Sequence, residues 1–400
     1  MIDTKDWLIS VDDHVVEPPD LWVERAPAAM RDRVPRVERI DGYDTWLYDG
    51  KQIVLPGLIA AIGRPTEEID PLPVNYDQMI PACYDLDARV DAMNTDRVLA
   101  SVVFPSFPRF CGQTFLEAAD KDVALTCLQI YNDWMLDEWS GAAPGRFIPL
   151  ILTPMWDTAL CVAEIERCAA KGAKAIAFSE NPYRLGLPSI HSADSHWCPV
   201  FAAANDTGMP LCIHLGSSSH VPETSPDQPF SVHGVMTNLN LAAPMVDWLF
   251  SGFLQQFPNL KVVLSEGQIG WIPYVLERAA YMSNEYHYLV ENDYRPSPTR
   301  PSQMVAHPAR PGTFPDDPVA LFRDHIFGCF IEDQFGARNL DAIGFDNVMV
   351  ETDFPHGDSR WPNSAEVVHQ MLAGYSDEER HKVLQGNAMR VFNFEPAIIE

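Results

Sequence analysis

A chain of 400 residues, 46% hydrophobic and 21% charged, has an ordinary globular composition, and its length allows two or three average domains or one elaborated barrel. Its formal net charge of −28 repels phosphate backbones and anionic membrane surfaces, so nucleic acid and membranes are excluded as expected partners. No run of about eighteen apolar residues offers a membrane span, and Met1 to Trp7 lacks the basic start and apolar stretch of a secretory signal. The eight cysteines form no C-x-x-C pair and mostly lie in apolar runs, which suits buried thiols in a reducing compartment. The expected location is the cytoplasm.

Short β-branched or apolar runs alternate with helical patterns, the signature of repeated βα units around a parallel sheet. In chain order the predicted strands are 7–11, 97–104, 147–152, 173–178, 210–214, 261–265, 325–330 and 347–351. The predicted helices between and after them are 116–139, 158–171, 198–207, 244–257, 272–288, 364–372 and 377–391. Eight such strands predict a (β/α)₈ TIM barrel, read as a single domain over residues 1–400. Two Pro-rich stretches, about 18–81 and 293–318, interrupt the rhythm as insertions at the barrel mouth. The first contains Trp46-Leu-Tyr-Asp-Gly-Lys-Gln-Ile-Val54, where Asp49-Gly50 predicts a hairpin turn over Thr45 to Val54.

The first predicted strand runs into Asp12-Asp13-His14. Side chains at i and i+2 share a face of a strand, so Asp12 and His14 point together into the barrel while Asp13 points away. The same short pattern also arises where acidic residues such as Glu17 merely cap a turn. His214 closes the fifth predicted strand and Asp353 follows the eighth. A buried aspartate there is costly unless paired or bound to a cation. Three strands thus deliver metal-ligand residue types to one end of the expected barrel. Glu180 follows the fourth strand and Glu266 the sixth, and either adds a carboxylate if it reaches the mouth. His356, just after Pro355, is expected to support Asp353 from behind. His191, His196, His220 and His233 read as loop histidines, and Trp134 and Trp139 as helix packing. Serine-hydrolase, dinucleotide and P-loop motifs are absent from the sequence.

These motifs carry a resemblance. Asp12-x-His14-x-x-Glu17-Pro-Pro-Asp-Leu-Trp22, His214-x-Gly216, Glu266-Gly-Gln-Ile-Gly-Trp-Ile-Pro273, Thr352-Asp-Phe-Pro-His356 and Gly386-Asn-Ala-Met-Arg-Val-Phe392 resemble the amidohydrolase-related metal-dependent TIM-barrel family. The similar branch includes aminocarboxymuconate semialdehyde decarboxylase and the resorcylate-type decarboxylases. The resemblance implies that Asp12, His14, His214 and Asp353 ligate one divalent ion. It also exposes a departure, because the sixth strand of the decarboxylases ends in a catalytic histidine and this chain has Glu266 there. Glu266 then serves as base or ligand, and with Glu180 it makes an oxygen-rich set that favours manganese or iron over zinc.

The expected activity is that of a metal-dependent hydrolase or carboxy-lyase acting on a small carboxylated or ring compound, with Asp353, Glu266 and His356 as catalytic candidates. A carboxylate-rich iron or manganese oxygenase, similar to relatives that hydroxylate aminoisobutyrate, is the alternative that Glu266 raises. A metal-retaining partner subunit of a hetero-oligomer with a paralogue is the other. The expected partners are a small-molecule substrate and further copies of the chain in a homo-oligomer.

Overall fold

The computed structural model describes residues 4–286, 292–297, 299–300, 302–308 and 312–399. Its strands are β1 (Leu8–Val15), β2 (Arg36–Ile40), β3 (Tyr43–Tyr48), β4 (Lys51–Val54), β5 (Val98–Pro105), β6 (Phe147–Ile148), β7 (Leu150–Ile151), β8 (Ala175–Ser179), β9 (Leu211–His214), β10 (Val262–Ser265), β11 (Asn292–Pro296), β12 (Met304–Pro308), β13 (Ile326–Phe330) and β14 (Val348–Val350). Parallel pairing runs β6-β5-β1-β14-β13-β10-β9-β8-β7. The two ends, β6 and β7, are halves of the single predicted strand 147–152, separated by Pro149. Proline has no N–H to give a ladder, but the Pro149 carbonyl accepts from Lys174 and Ala175 across the gap. The ring therefore closes with eight strands into a (β/α)₈ barrel, whose strands are buried on both faces as parallel strands require.

The helices depart from expectation at their ends. The predicted helix 116–139 starts only at Lys121, because the Asp120 carboxylate accepts from the backbone N–H groups of Asp122 and Val123 and fixes the first turn there. A separate turn, Gln113–Leu116, precedes it. The predicted helix 244–257 is split into Ala242–Leu249 and Phe253–Gln256 at Gly252, whose φ of +79° has no place inside a helix. Cys198–Thr207 forms as predicted, and the expected end of 272–288 lies partly outside the described residues. No described helix is long and apolar enough to cross a membrane.

The first insertion builds the hairpin its sequence predicts. Asp49 (φ +50°) and Gly50 (φ +73°) make the left-handed two-residue turn between β3 and β4. β2 adds a third antiparallel strand that the alternation alone did not announce. The sheet is anchored by Trp46, fully buried with its ring 4.6 Å from Phe107 and 5.3 Å from Trp22. In the second insertion β11 and β12 pair antiparallel.

Asp13 shows how the barrel end is tied. Its side chain points away from the interior face of β1, as strand parity predicts, and stays fully buried. It accepts from Ser10 Oγ at 2.9 Å, Thr352 Oγ1 at 2.5 Å, the Phe354 N–H at 3.1 Å and the Ser101 hydroxyl, so one carboxylate joins β1, β5 and the segment after β14. Replacing it with alanine leaves these donors unpaired and the nearby Arg89 charge uncompensated. Asp13→Ala is expected to lower stability by about 3 kcal/mol or more in urea denaturation, and a loss below about 1 kcal/mol would refute this role.

Candidate metal centre

The register of β1 and β14 assembles the first part of the cluster. Ser10 pairs with Val350, and beyond it the Asp353 N–H donates to the Asp12 carbonyl (2.9 Å) while the His14 N–H donates to the Phe354 carbonyl (2.7 Å). Asp12, His14 and Asp353 consequently meet at one level. On the opposite wall His214 pairs with Ser265, which places Glu266 one residue beyond the end of β10. Glu266 (φ +60°) and Asp353 (φ +51°) both occupy left-handed backbone that non-glycine residues avoid, and such strain persists where the surroundings enforce it.

The ligand-type atoms converge. His214 Nε2 lies 3.4 Å from Asp12 Oδ2, 3.2 Å from Glu266 Oε2 and 3.4 Å from His14 Nε2. His14 Nε2 is 3.6 Å from Asp12 Oδ1 and 3.1 Å from Asp353 Oδ1, which in turn is 2.9 Å from His356 Nδ1. Asp12, His14, His214 and Glu266 form one group whose donor atoms all lie within 4.8 Å of one another, and His14, Asp353 and His356 form a second that shares His14. His214 Nδ1 donates to the Leu215 carbonyl at 2.6 Å, which fixes the tautomer and leaves the Nε2 lone pair facing the cluster.

Electrostatics shows what the cluster lacks. Burial, with the neighbouring histidine His356 next in weight, pulls His14 down to about 4. Burial and then His14 push His214 well below its ordinary value, so both imidazoles are neutral near pH 7. Burial raises Asp12 well above the carboxylate range, and Glu351, Glu266, Asp353 and Asp13 push it the same way. Glu266 is raised by burial and then by Asp353, Glu351 and Asp358. Asp353 is held low against its burial by His356 and His14. Both Asp12 oxygens are buried and accept no hydrogen bond among the described residues. Two neutral imidazoles facing two uncompensated carboxylates fit a divalent cation, which would satisfy the orphaned oxygens and reverse the mutual repulsion.

Of the ligand candidates, Asp353 joins the second group and not the one that holds Asp12 and His214, and Glu180 belongs to neither. Its two oxygens accept from Ser217 Oγ and Ser218 Oγ, each at 2.5 Å, because the loop after β9 folds back over the end of β8. Each of its oxygens therefore has a hydroxyl donor from that loop. Two participants went unnoticed. Glu351 accepts the Glu266 N–H at 3.0 Å and is pushed up to about 8 by burial; its i, i+2 relation to Asp353 was the available signal. Phe110 stacks on His214 with centroids 3.9 Å apart, while His356 stacks on His14 at 3.6 Å, so each imidazole is held flat by a neighbouring ring. The loop carrying Phe110 is held by Glu17, which accepts from the N–H groups of Ser106 (3.0 Å) and Phe107 (2.8 Å). Glu17 is therefore more than a turn cap.

A cavity of about 440 Å³ opens against the cluster, with His14 and His356 at one end and Ile53, Leu55, Phe107 and Phe110 among its walls. The β3–β4 hairpin covers it, as a mouth insertion should.

Residues 64–394 match the Amidohydro_2 family, described as amidohydrolase. The chain belongs to the amidohydrolase family. It is accordingly an enzyme of that superfamily. Its fold is similar to that of amidohydrolase map2389c from Mycobacterium avium subsp. paratuberculosis K-10, with TM-score 0.68 and 19% identity, covering 96% of this chain and 99% of that one. It is also similar to 5-carboxyvanillate decarboxylase LigW from Sphingomonas paucimobilis, with TM-score 0.62 and 20% identity over 97% of this chain and 99% of that one. A dihydroxybenzoic acid decarboxylase from Polaromonas sp. JS666, solved with bound manganese and the inhibitor 2-nitroresorcinol, gives TM-score 0.58 and 18% identity over 97% of each chain. Among curated proteins none matches the sequence.

Glu17 yields a test on pH. Burial raises its carboxyl to about 7 from 4.5, so between those values the folded chain binds the proton that the unfolded chain releases. Its contribution to stability is fully present below about 4.5 and is lost as pH rises through about 7. Thermal unfolding should therefore show the Glu17→Gln variant losing less stability than the parent between pH 5 and 8. Equal slopes in that window would contradict the assignment.

Proposed function

We propose that this chain is a metal-dependent hydrolase or carboxy-lyase acting on a small ring compound, carried by one barrel domain with two insertions. The observation behind it is the buried Asp12 carboxylate with both oxygens unpartnered, beside two neutral imidazoles, one of which, His14, lines a largely apolar cavity. Asp12, His14, His214 and Glu266 would hold one divalent ion, with Asp353 and His356 beside it. Such an ion supplies Lewis-acid polarisation of an oxygen. Half of the donor set being carboxylate favours manganese or iron over zinc, and the manganese in the Polaromonas decarboxylase agrees with that preference.

The chain's own residues supply the remaining chemistry. Asp353, kept ionised by His356 and His14, is placed to accept a proton, and His356 Nδ1 at 2.9 Å is placed to share it. Phe110 and Phe107 line the cavity, exclude water and offer flat faces to a ring. The ring-acid decarboxylases of similar fold motivate the substrate class, and the cavity volume suits a molecule of that size.

The excess of carboxylates around His14 favours a second reading, an iron or manganese oxygenase. Four acids, Asp12, Glu351 and Asp353, which are buried, and Glu266, which is 16% exposed, stand together, and the two ligand-type groups share His14. Glu266 decides between the readings' main elements. If it is a ligand, Glu266→Gln should weaken metal binding by roughly 10-fold or more, and if it is a base, metal content should hold while turnover collapses. The measurement is manganese titration alongside carbon dioxide release from 5-carboxyvanillate and dihydroxybenzoates, with oxygen uptake as the control for the second reading. Unchanged metal affinity and unchanged turnover in the variant would reduce Glu266 to a structural carboxylate and remove the support for the oxygenase.

A further inference from the structure

The cavity beside His14 and His356 has two unlike ends. The inner end is buried, with His14 1% exposed, whereas the outer end carries Lys51, Arg109 and Glu117, which are 48%, 38% and 42% exposed. These three side chains come from β4, from the loop after β5 and from the segment after helix Gln113–Leu116. Glu117 Oε2 accepts from Lys51 Nζ at 3.0 Å, and its Oε1 accepts from the Arg109 guanidinium. One carboxylate between two cations leaves this rim with a single positive charge in a chain whose net charge is −28. The Arg109 Nε–H is buried and has no hydrogen-bond partner among the described residues. An unpaired charged donor is costly, and the Arg109 side chain, 38% exposed, can turn its guanidinium to give that N–H to a ligand oxygen at the rim. Arg109 is also held at φ +61°, in the left-handed region, where it presents its side chain to the cavity.

We propose that Arg109 and Lys51 form an anion subsite at the outer end of the cavity, and that the substrate is a largely apolar ring compound bearing a carboxylate remote from the His14–His356 end. The inference rests on the cavity being the substrate site of the proposed function. The guanidinium fork matches a carboxylate, the walls match the ring, and the two cations supply local attraction that the acidic chain otherwise denies to an anion. Glu117 holds the cations in position and competes with the incoming carboxylate for them, so a neutral ring compound meets a closed ion triad. The hairpin tip is pinned separately, by the Ala119 N–H donating to Asp49 Oδ2 at 2.9 Å, so replacing Lys51 leaves the hairpin anchored.

The test uses the full-length, manganese-loaded protein and calorimetric titration with benzohydroxamate, 4-carboxybenzohydroxamate and 4-(carboxymethyl)benzohydroxamate. The hydroxamate serves the metal end, and the two carboxylated probes differ in reach. At least one carboxylated probe should bind about 10-fold more tightly than benzohydroxamate, the gain of one charge-assisted hydrogen-bonded pair. In Arg109→Gln and in Lys51→Gln that ratio should fall toward about 1, with manganese content and benzohydroxamate affinity unchanged. Glu117→Gln should raise the ratio by removing the competitor. Equal binding of all three probes by the parent, or a preference that survives both cation variants, overturns the subsite while leaving the metal-site reading intact. Failure of benzohydroxamate itself to bind overturns both, and that outcome is separately visible.

Discussion

The burial of several carboxylates around two neutral imidazoles is the constraint on which the mouth of this barrel depends. Glu351, Glu266 and Asp353 all push the Asp12 carboxyl up, and Asp353 and Glu351 do the same to Glu266, whereas His356 and His14 hold Asp353 low and Asp12 finds no hydrogen-bond donor among the described residues. In a low-dielectric interior such a set is unfavourable unless a cation neutralises it or the acids keep their protons. Asp13 shows the contrast. It is as buried as Asp12 and one residue away, yet three hydroxyls and a backbone N–H satisfy it, so it reads as a tie between strands.

Much of this was legible from period and position. Eight apolar runs gave eight barrel strands, and the i, i+2 parity of β1 correctly separated the inward Asp12 and His14 from the outward Asp13. Asp49-Gly50 announced the hairpin because its left-handed turn demands those residue types. What escaped the sequence depended on where distant segments return. Glu180 stands at a strand end like the others, and only the path of the loop after β9 brings the Ser217 and Ser218 hydroxyls to its oxygens. The stacking of Phe110 on His214 likewise depends on Glu17 gripping a loop nearly ninety residues away in sequence, a contact with no local signature. Helix ends moved for local reasons, an Asp120 cap and the positive φ of Gly252, that outweigh hydrophobic period.

The first insertion links fold to specificity. β3 is anchored through Trp46 against Trp22 and Phe107, and β4 thereby lays Ile53 over the cavity and Lys51 at its rim. The barrel fixes the reactive end, and the inserted hairpin shapes what can approach it. This division is common in barrels, where loops vary over a constant scaffold. It explains why family membership is plain here while the substrate must be argued from side chains that the family does not dictate.

The central claim is that a divalent ion balances the buried carboxylates. Anomalous diffraction from crystals of the protein grown with manganese, collected at the manganese edge, tests it most directly. The account predicts a peak within about 2.0 to 2.4 Å of Asp12, His14 and His214 side-chain donors. A well-ordered barrel with no peak among these residues, and with Asp12 still lacking any partner, would contradict it.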